Sequence, residues 1–184
     1  MTSLTIEQKR VDIYPSAKPG SPIIYLNTFS NAVNSVYKNL MALGCPDFSL
    51  VAVSKLKWDH DMTPWYMRPI SKHDTPCTGG ADDYLKLLLD EIIPEAEAYL
   101  PGAPAWRGLS GYSLAGLFAL YALYRTDVFA RAAVYLWATL ATMQRKTEPL
   151  SGSRTAAPCI AAVIWGISCR MAISHSCTAR MIRS

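Results

Sequence analysis

Residues 106–124 constrain this chain more than any other stretch: Trp-Arg-Gly-Leu-Ser-Gly-Tyr-Ser-Leu-Ala-Gly-Leu-Phe-Ala-Leu-Tyr-Ala-Leu-Tyr. The first part reads as a short strand and the last as a long apolar helix, with Ser113 at the junction. Small residues stand two places before it (Gly111) and two places after it (Ala115). This is the form of a nucleophile elbow, a strained strand-to-helix turn that exposes a serine at the top of a sheet. The small flanks have a physical cause, because so tight a turn brings the backbone on either side of the serine together and a bulky Cβ substituent would collide. The following helix aims its unpaired N-terminal N–H groups at the same place. The usual last position is glycine; here it is Ala115, with Gly116 one step later, and alanine is small enough for the turn. The same letters also suit an ordinary junction in which Ser113 is a helix N-cap. The strand before, the apolar helix after and the strand–helix alternation upstream favour the elbow.

Composition sets the class. With 184 residues, 51% hydrophobic and 17% charged, the chain is long enough for one domain with a real core. The net charge of +4 is concentrated late: after Asp127 the only acid is Glu148, against Arg131, Arg145, Lys146, Arg154, Arg170, Arg180 and Arg183. No aromatic-interleaved basic face accompanies that tail, so nucleic acid is not an expected partner. Cys45, Cys77, Cys159, Cys169 and Cys177 are odd in number and never in C-x-x-C spacing, so neither a metal site nor a redox pair is expected. No run approaches the roughly 18 apolar residues that span a bilayer, and the N-terminus has no apolar signal core. The expectation is a soluble cytoplasmic protein with free thiols, no cofactor and no membrane partner. Its oligomeric state is not encoded in any motif.

In chain order, residues 4–14 predict one strand at the sheet edge, and 16–22 a Pro/Gly/Ser turn. The apolar run 22–26 predicts a strand buried on both faces. A helix is expected over 32–43, with Val33, Val36, Tyr37, Leu40 and Met41 on one face and Gly44 as its stop. Residues 48–53 predict the next buried strand, parallel to the first through a right-handed crossover. A long loop, 57–80, follows; loops of this length are usually functional or disordered, and Trp58 and Trp65 argue for order. His60 between Asp59 and Asp61 raises a metal site, but neighbours on a short loop seldom share one ion, so the preferred reading is that these charges order the loop. A helix is expected over 82–99, interrupted at Pro94, and a strand over 131–137. Past residue 138 the rhythm fails, apart from a strand-like stretch at 159–165. The expected organisation is a core of residues 1–137 and a divergent tail of residues 138–184.

These residues carry a resemblance. Residues 22–29 (PIIYLNTF), 58–65 (WDHDMTPW), 79–94 (GGADDYLKLLLDEIIP) and 106–124 resemble the putative-esterase branch of the α/β-hydrolases, the enterobactin esterase-like and S-formylglutathione hydrolase-like enzymes. The resemblance covers about two thirds of the chain, and the elbow is its most specific part. It implies a mainly parallel sheet flanked by helices, with the C-terminal strands incomplete or aberrant. It also implies Ser113 as nucleophile, the N–H of Leu114 as one oxyanion donor, and Phe29 or Thr28 as the second. The loop with Trp58 and Trp65 would line the substrate pocket.

A serine hydroxyl needs a histidine to take its proton and an acid to orient that histidine, and in this fold the order is Ser, acid, His. Here the chain departs from the family. The acids after Ser113 are Asp127, which lies on the wrong side of the next strand, and Glu148; the only later histidine is His175, in a context typical of a solvated side chain. Three readings follow: a serine esterase or thioesterase acting on a small ester through a Ser113 acyl-enzyme; a catalytically incomplete relative acting as a binding module or inactive fragment; or an unrelated doubly wound protein with a ligand at its strand ends. A truncated or out-of-frame replacement of the sequence past Ala133 accounts for both the lost rhythm and the missing triad. On that account, another frame of the gene encodes a strand carrying an Asp and a later His-containing loop; if no frame does, the account fails.

Overall fold

The computed structural model describes residues 1–29, 33–69 and 74–135. Its centre is a six-stranded sheet of β1 (Thr2–Ile6), β2 (Lys9–Tyr14), β3 (Ile23–Asn27), β4 (Ser49–Ser54), β7 (Arg107–Tyr112) and β8 (Arg131–Tyr135), in the order β1-β2-β4-β3-β7-β8. The four strands β4, β3, β7 and β8 are mutually parallel, while β2 joins β4 antiparallel and β1 joins β2 antiparallel. The chain is thus an α/β protein with a mostly parallel sheet, as its alternating apolar runs predict.

Alternate residues decide which face each strand presents. Val11, Ile13, Ile23, Tyr25, Val51, Val53 and Leu109 form one core with α3 (Ala81–Leu87) and α5 (Leu114–Arg125). Ala115, Gly116, Ala119 and Ala122 are buried along α5, so small side chains let this helix lie close to the sheet. On the opposite face Tyr14 stacks on Tyr37 of α1 (Val33–Ala42) at 4.8 Å between ring centroids, and Tyr37 meets Phe48 at 5.9 Å. Helices therefore cover both faces.

Several expectations are corrected in detail. The single strand expected over 4–14 is a hairpin, turning at Glu7 and Gln8, both with positive φ (43° and 68°). Such a turn normally carries Asn or Gly, and Glu-Gln gives no warning of it. The interruption expected at Pro94 takes the form of a π turn, Leu88–Ile92, between α3 and α4 (Ile93–Glu97). Proline removes one N–H and crowds the carbonyl four residues back, and the wider turn absorbs the mismatch. The long loop contains α2 (Trp58–Asp61) and a two-stranded ribbon of β5 (Tyr66–Met67) and β6 (Cys77–Thr78). Residues 136 and 137 of the expected last strand, the boundary at 137/138, the stretch 159–165, Glu148 and His175 lie outside the described residues.

A buried ion pair fixes α2. Lys9 Nζ donates to Asp61 Oδ2 at 2.6 Å, both side chains being about nine-tenths buried, and the Lys57 N–H donates to the same carboxylate at 2.9 Å. Removing one partner of such a pair leaves an uncompensated buried charge and costs roughly 3–5 kcal/mol.

Two phenols are buried in the same core. The Tyr84 hydroxyl donates to Asn27 Oδ1 at 2.6 Å, and burial, then the charge of Asp61, pushes its pKa well up. Tyr25 is raised by burial, then by Glu97, to which it donates at 2.9 Å. Both stay protonated in the folded chain above pH 10, where the unfolded chain has lost those protons. Folding stability is therefore full below the ordinary phenol value and falls as pH rises past it, by up to about 1.4 kcal/mol per pH unit for each phenol. Urea midpoints measured between pH 8 and 11.5 should fall along this slope, and Tyr84→Phe should make the slope shallower.

Candidate active site

The sheet topology places the site. From β3 the chain crosses to β4 on one side, and from β7 it crosses to β8 on the other. The crevice beyond the C-terminal ends of β3 and β7 is therefore the switch point at which open α/β sheets bind ligands. Asn27 pairs with Gly111 across these strands. Phe29 follows β3 by two residues and Ser113 follows β7 directly, both at this end of the sheet.

Ser113 has φ 54° and ψ −125°, a conformation that a non-glycine residue holds only under constraint, at a cost of about 1–3 kcal/mol. The constraint is visible at Gly111, where an added Cβ would stand 2.5–2.6 Å from the Cβ, carbonyl carbon and oxygen of Ala115. Strand end and helix start are thus in direct contact, and the serine between them is driven outward and exposed. The Ser113 side chain makes no capping hydrogen bond, so the simple N-cap reading does not hold. Its carbonyl accepts from the N–H groups of Gly116 (3.0 Å) and Leu117 (3.2 Å). The N–H groups of Leu114 and Ala115 belong to the first turn, where no intrahelical acceptor exists; Leu114 is the donor named from sequence.

The two residues expected from sequence as the second donor differ in their bonding. The Thr28 N–H donates to the Val53 carbonyl at 2.9 Å, extending the β3–β4 ladder, so it is committed elsewhere. Phe29, one residue beyond the ladder, is left. Its ring is 71% exposed and meets Trp58 edge-on, at 5.6 Å and 83°. Trp58 in turn packs on Tyr112 at 5.3 Å. Tyr112 was not singled out from sequence, although the residue before the serine must end the strand facing the crevice mouth. Trp65 is not part of this cluster among the described residues: it is 54% exposed, and its backbone lies against Gly79, whose φ is +77°.

The charges of the long loop order it, as preferred from sequence. His60 Nδ1 and the Thr78 hydroxyl are 2.6 Å apart, the Thr75 hydroxyl donates to Asp59, and Asp61 holds Lys9. A Cβ at Gly80 would run into the His60 ring, so the loop closes tightly over this histidine. Among the described residues no group of three His, Cys, Asp or Glu is arranged to hold a metal ion. Nor is any of their helices long and apolar enough to cross a membrane. His60 is the one histidine they contain, and among them Ser113 Oγ has no hydrogen-bond partner. Asp127 is exposed in the turn between α5 and β8. Deeper in the crevice Asn27 is fully buried, and its Nδ2 has no partner.

The model of the family described as "Putative esterase" matches residues 10–168. The chain belongs to this family. The unrelated doubly wound reading is thereby set aside, and the esterase match continues beyond residue 137, where the sequence rhythm fails. No curated protein sequence matches the chain. Among solved structures, the siderophore hydrolase EstA from Aspergillus nidulans is similar with a TM-score of 0.58 and 18% identity over 79% of this chain and 61% of that one. The BES protein from Bacillus cereus gives 0.58 and 18% over 79% and 66%. The enterobactin hydrolase IroE, in complex with DFP, gives 0.57 and 26% over 82% and 70%. The chain therefore spans less than two thirds of the length of the first two esterase-fold neighbours.

The elbow contact makes a prediction for this esterase family member. Gly111→Ala should destabilise the fold by several kcal/mol, on the scale of overpacking plus backbone strain. Because two of the three nearest atoms belong to the Ala115 backbone, adding Ala115→Gly should recover only a minor part in chemical denaturation.

Proposed function

We propose that this chain is a serine hydrolase of small carboxylic esters or thioesters, working through an acyl-enzyme on Ser113. The observation that carries the reading is the Ser113 backbone, held at φ 54° on an exposed turn between β7 and the N-terminus of α5. Strain of this kind persists where surrounding structure over-determines it and marks functional sites. Membership of the esterase family and the neighbours named as siderophore and enterobactin hydrolases support the same chemistry.

In this mechanism Ser113 Oγ attacks the ester carbonyl, and its proton passes to a base. Negative charge collects on the former carbonyl oxygen, between the N–H groups of Leu114 and Phe29; such donors are worth about 3 kcal/mol each. The alcohol or thiol departs with a proton, leaving the acyl group on Ser113, and water releases the acid. The first turn of α5 adds its dipole to the oxyanion site. Trp58 stands at the mouth of the crevice with its ring taken up by Phe29 and Tyr112, and Trp65 would border the crevice only from the outer part of the loop. In the family's order the acid and histidine follow the nucleophile.

A fluorophosphonate probe tests this directly. Folded chain should label, and Ser113→Ala should abolish labelling and lower hydrolysis of a p-nitrophenyl ester by at least about a thousandfold. Absence of labelling in protein that unfolds cooperatively would overturn the proposal and leave the elbow to a non-catalytic binding role.

A further inference from the structure

We infer that Trp58 is a positioning residue, whose ring holds the Phe29 N–H in place against the Ser113 elbow. This rests on the reading of Phe29 as an oxyanion donor. Three observations converge on it. First, the two halves of the oxyanion site stand on separate pieces of chain, one after β3 and one after β7, and the ladder that joins them ends at Asn27 and Gly111. The hydrogen bond from Thr28 to Val53 fixes the chain one residue short of Phe29. Second, Trp58 meets both pieces of chain: its ring stands 5.6 Å from the Phe29 ring, nearly perpendicular at 83°, and 5.3 Å from that of Tyr112, next to Ser113. With Phe29 71% exposed, little besides this contact holds its ring among the described residues.

Third, Trp58 is itself anchored. It opens α2, where the N–H groups of His60 and Asp61 donate to the Lys57 carbonyl at 2.8 and 2.7 Å. Asp61 then ties α2 to β2 through Lys9. A rigid indole on a rigid turn thus links the two donor loops, and aromatic pairs of this kind add about 0.5–1.5 kcal/mol beyond buried area. Oxyanion donors act only within a few tenths of an ångström of their place, and a misplacement of about 1 Å can cost about a hundredfold in rate. A positioning role differs measurably from a substrate wall. Loss of a wall raises KM, whereas loss of donor geometry lowers kcat.

The test uses the full chain and a p-nitrophenyl ester. Trp58→Ala should lower kcat by about 10- to 100-fold with KM within about twofold, and Trp58→Phe should recover most of the loss. Phe29→Ala keeps the backbone N–H and removes only an exposed ring; it should reproduce the kcat loss with an unchanged unfolding midpoint. Amide hydrogen exchange of the peptide covering residues 28–29 should accelerate in Trp58→Ala and not in Trp58→Phe. A rise in KM at constant kcat, or exchange unchanged by Trp58→Ala, overturns the inference. Should the parent chain show no Ser113-dependent turnover, the proposed function fails, and the exchange measurement alone decides the positioning role.

Discussion

The contact between Gly111 and Ala115 is the constraint from which the rest of the site follows. A strand can hand its chain to a helix within one residue only if nothing stands between their backbones, and here the space for a single methyl group is already filled. That closeness forces Ser113 into a conformation alanine or serine would otherwise avoid. The strain is held because both flanks are locked: β7 is hydrogen-bonded on both sides, to β3 and β8, and α5 is buried through Ala115, Phe118, Ala119 and Ala122. Neither flank can relax without breaking a ladder or opening the core. The alanine that replaces the usual glycine at 115 is tolerated because the glycine that matters sterically is the earlier one.

A second chain of dependence runs in from the sheet edge. The Glu7–Gln8 turn sets the register of β2, which places Lys9 where it can reach Asp61. That pair pins α2, and α2 carries Trp58 against Phe29 and Tyr112. Asp61, one of the loop charges expected from sequence to order the loop, is the fastener of this arrangement. Burial is what makes the pair strong: an exposed pair would be worth at most about 1 kcal/mol, whereas breaking this one strands a charge in the interior.

Legibility in the sequence followed the range of the interaction. The elbow, the runs that became β3, β4 and β7, the helix α1 and its Gly44 stop are all set by neighbours within a few residues, and each was readable. The β1–β2 hairpin is the exception: its pairing is local, but its turn residues, Glu7 and Gln8, carry no turn signal. The π turn was foreshadowed only as a break at Pro94. Within the site, Ser113 and Leu114 came from the motif itself. The difference in bonding between Thr28 and Phe29 lies in the β3–β4 hydrogen bond, and the packing of Tyr112 depends on Trp58, 54 residues earlier. Trp58 and Trp65 look equivalent in sequence, yet one is drawn to the elbow and the other held by the turn at Gly79.

The two halves of the proposed chemistry are built differently. In the proposed mechanism oxyanion stabilisation would come from backbone N–H groups just after β3 and at the start of α5, so it would be a property of the fold's central strands. Proton transfer depends on side chains that this fold supplies after the nucleophile. The two are energetically separable: in serine hydrolases stripped of triad residues, the oxyanion site and substrate binding still give roughly 10³- to 10⁴-fold acceleration over water. On the proposed reading, a scaffold that holds Ser113 under strain beside backbone donors would keep the electrostatic part of catalysis whatever supplies the base. At the elbow itself the strain is concentrated in Ser113. The donors themselves need ordinary backbone geometry, and only the residue that must face outward between strand and helix is forced from it.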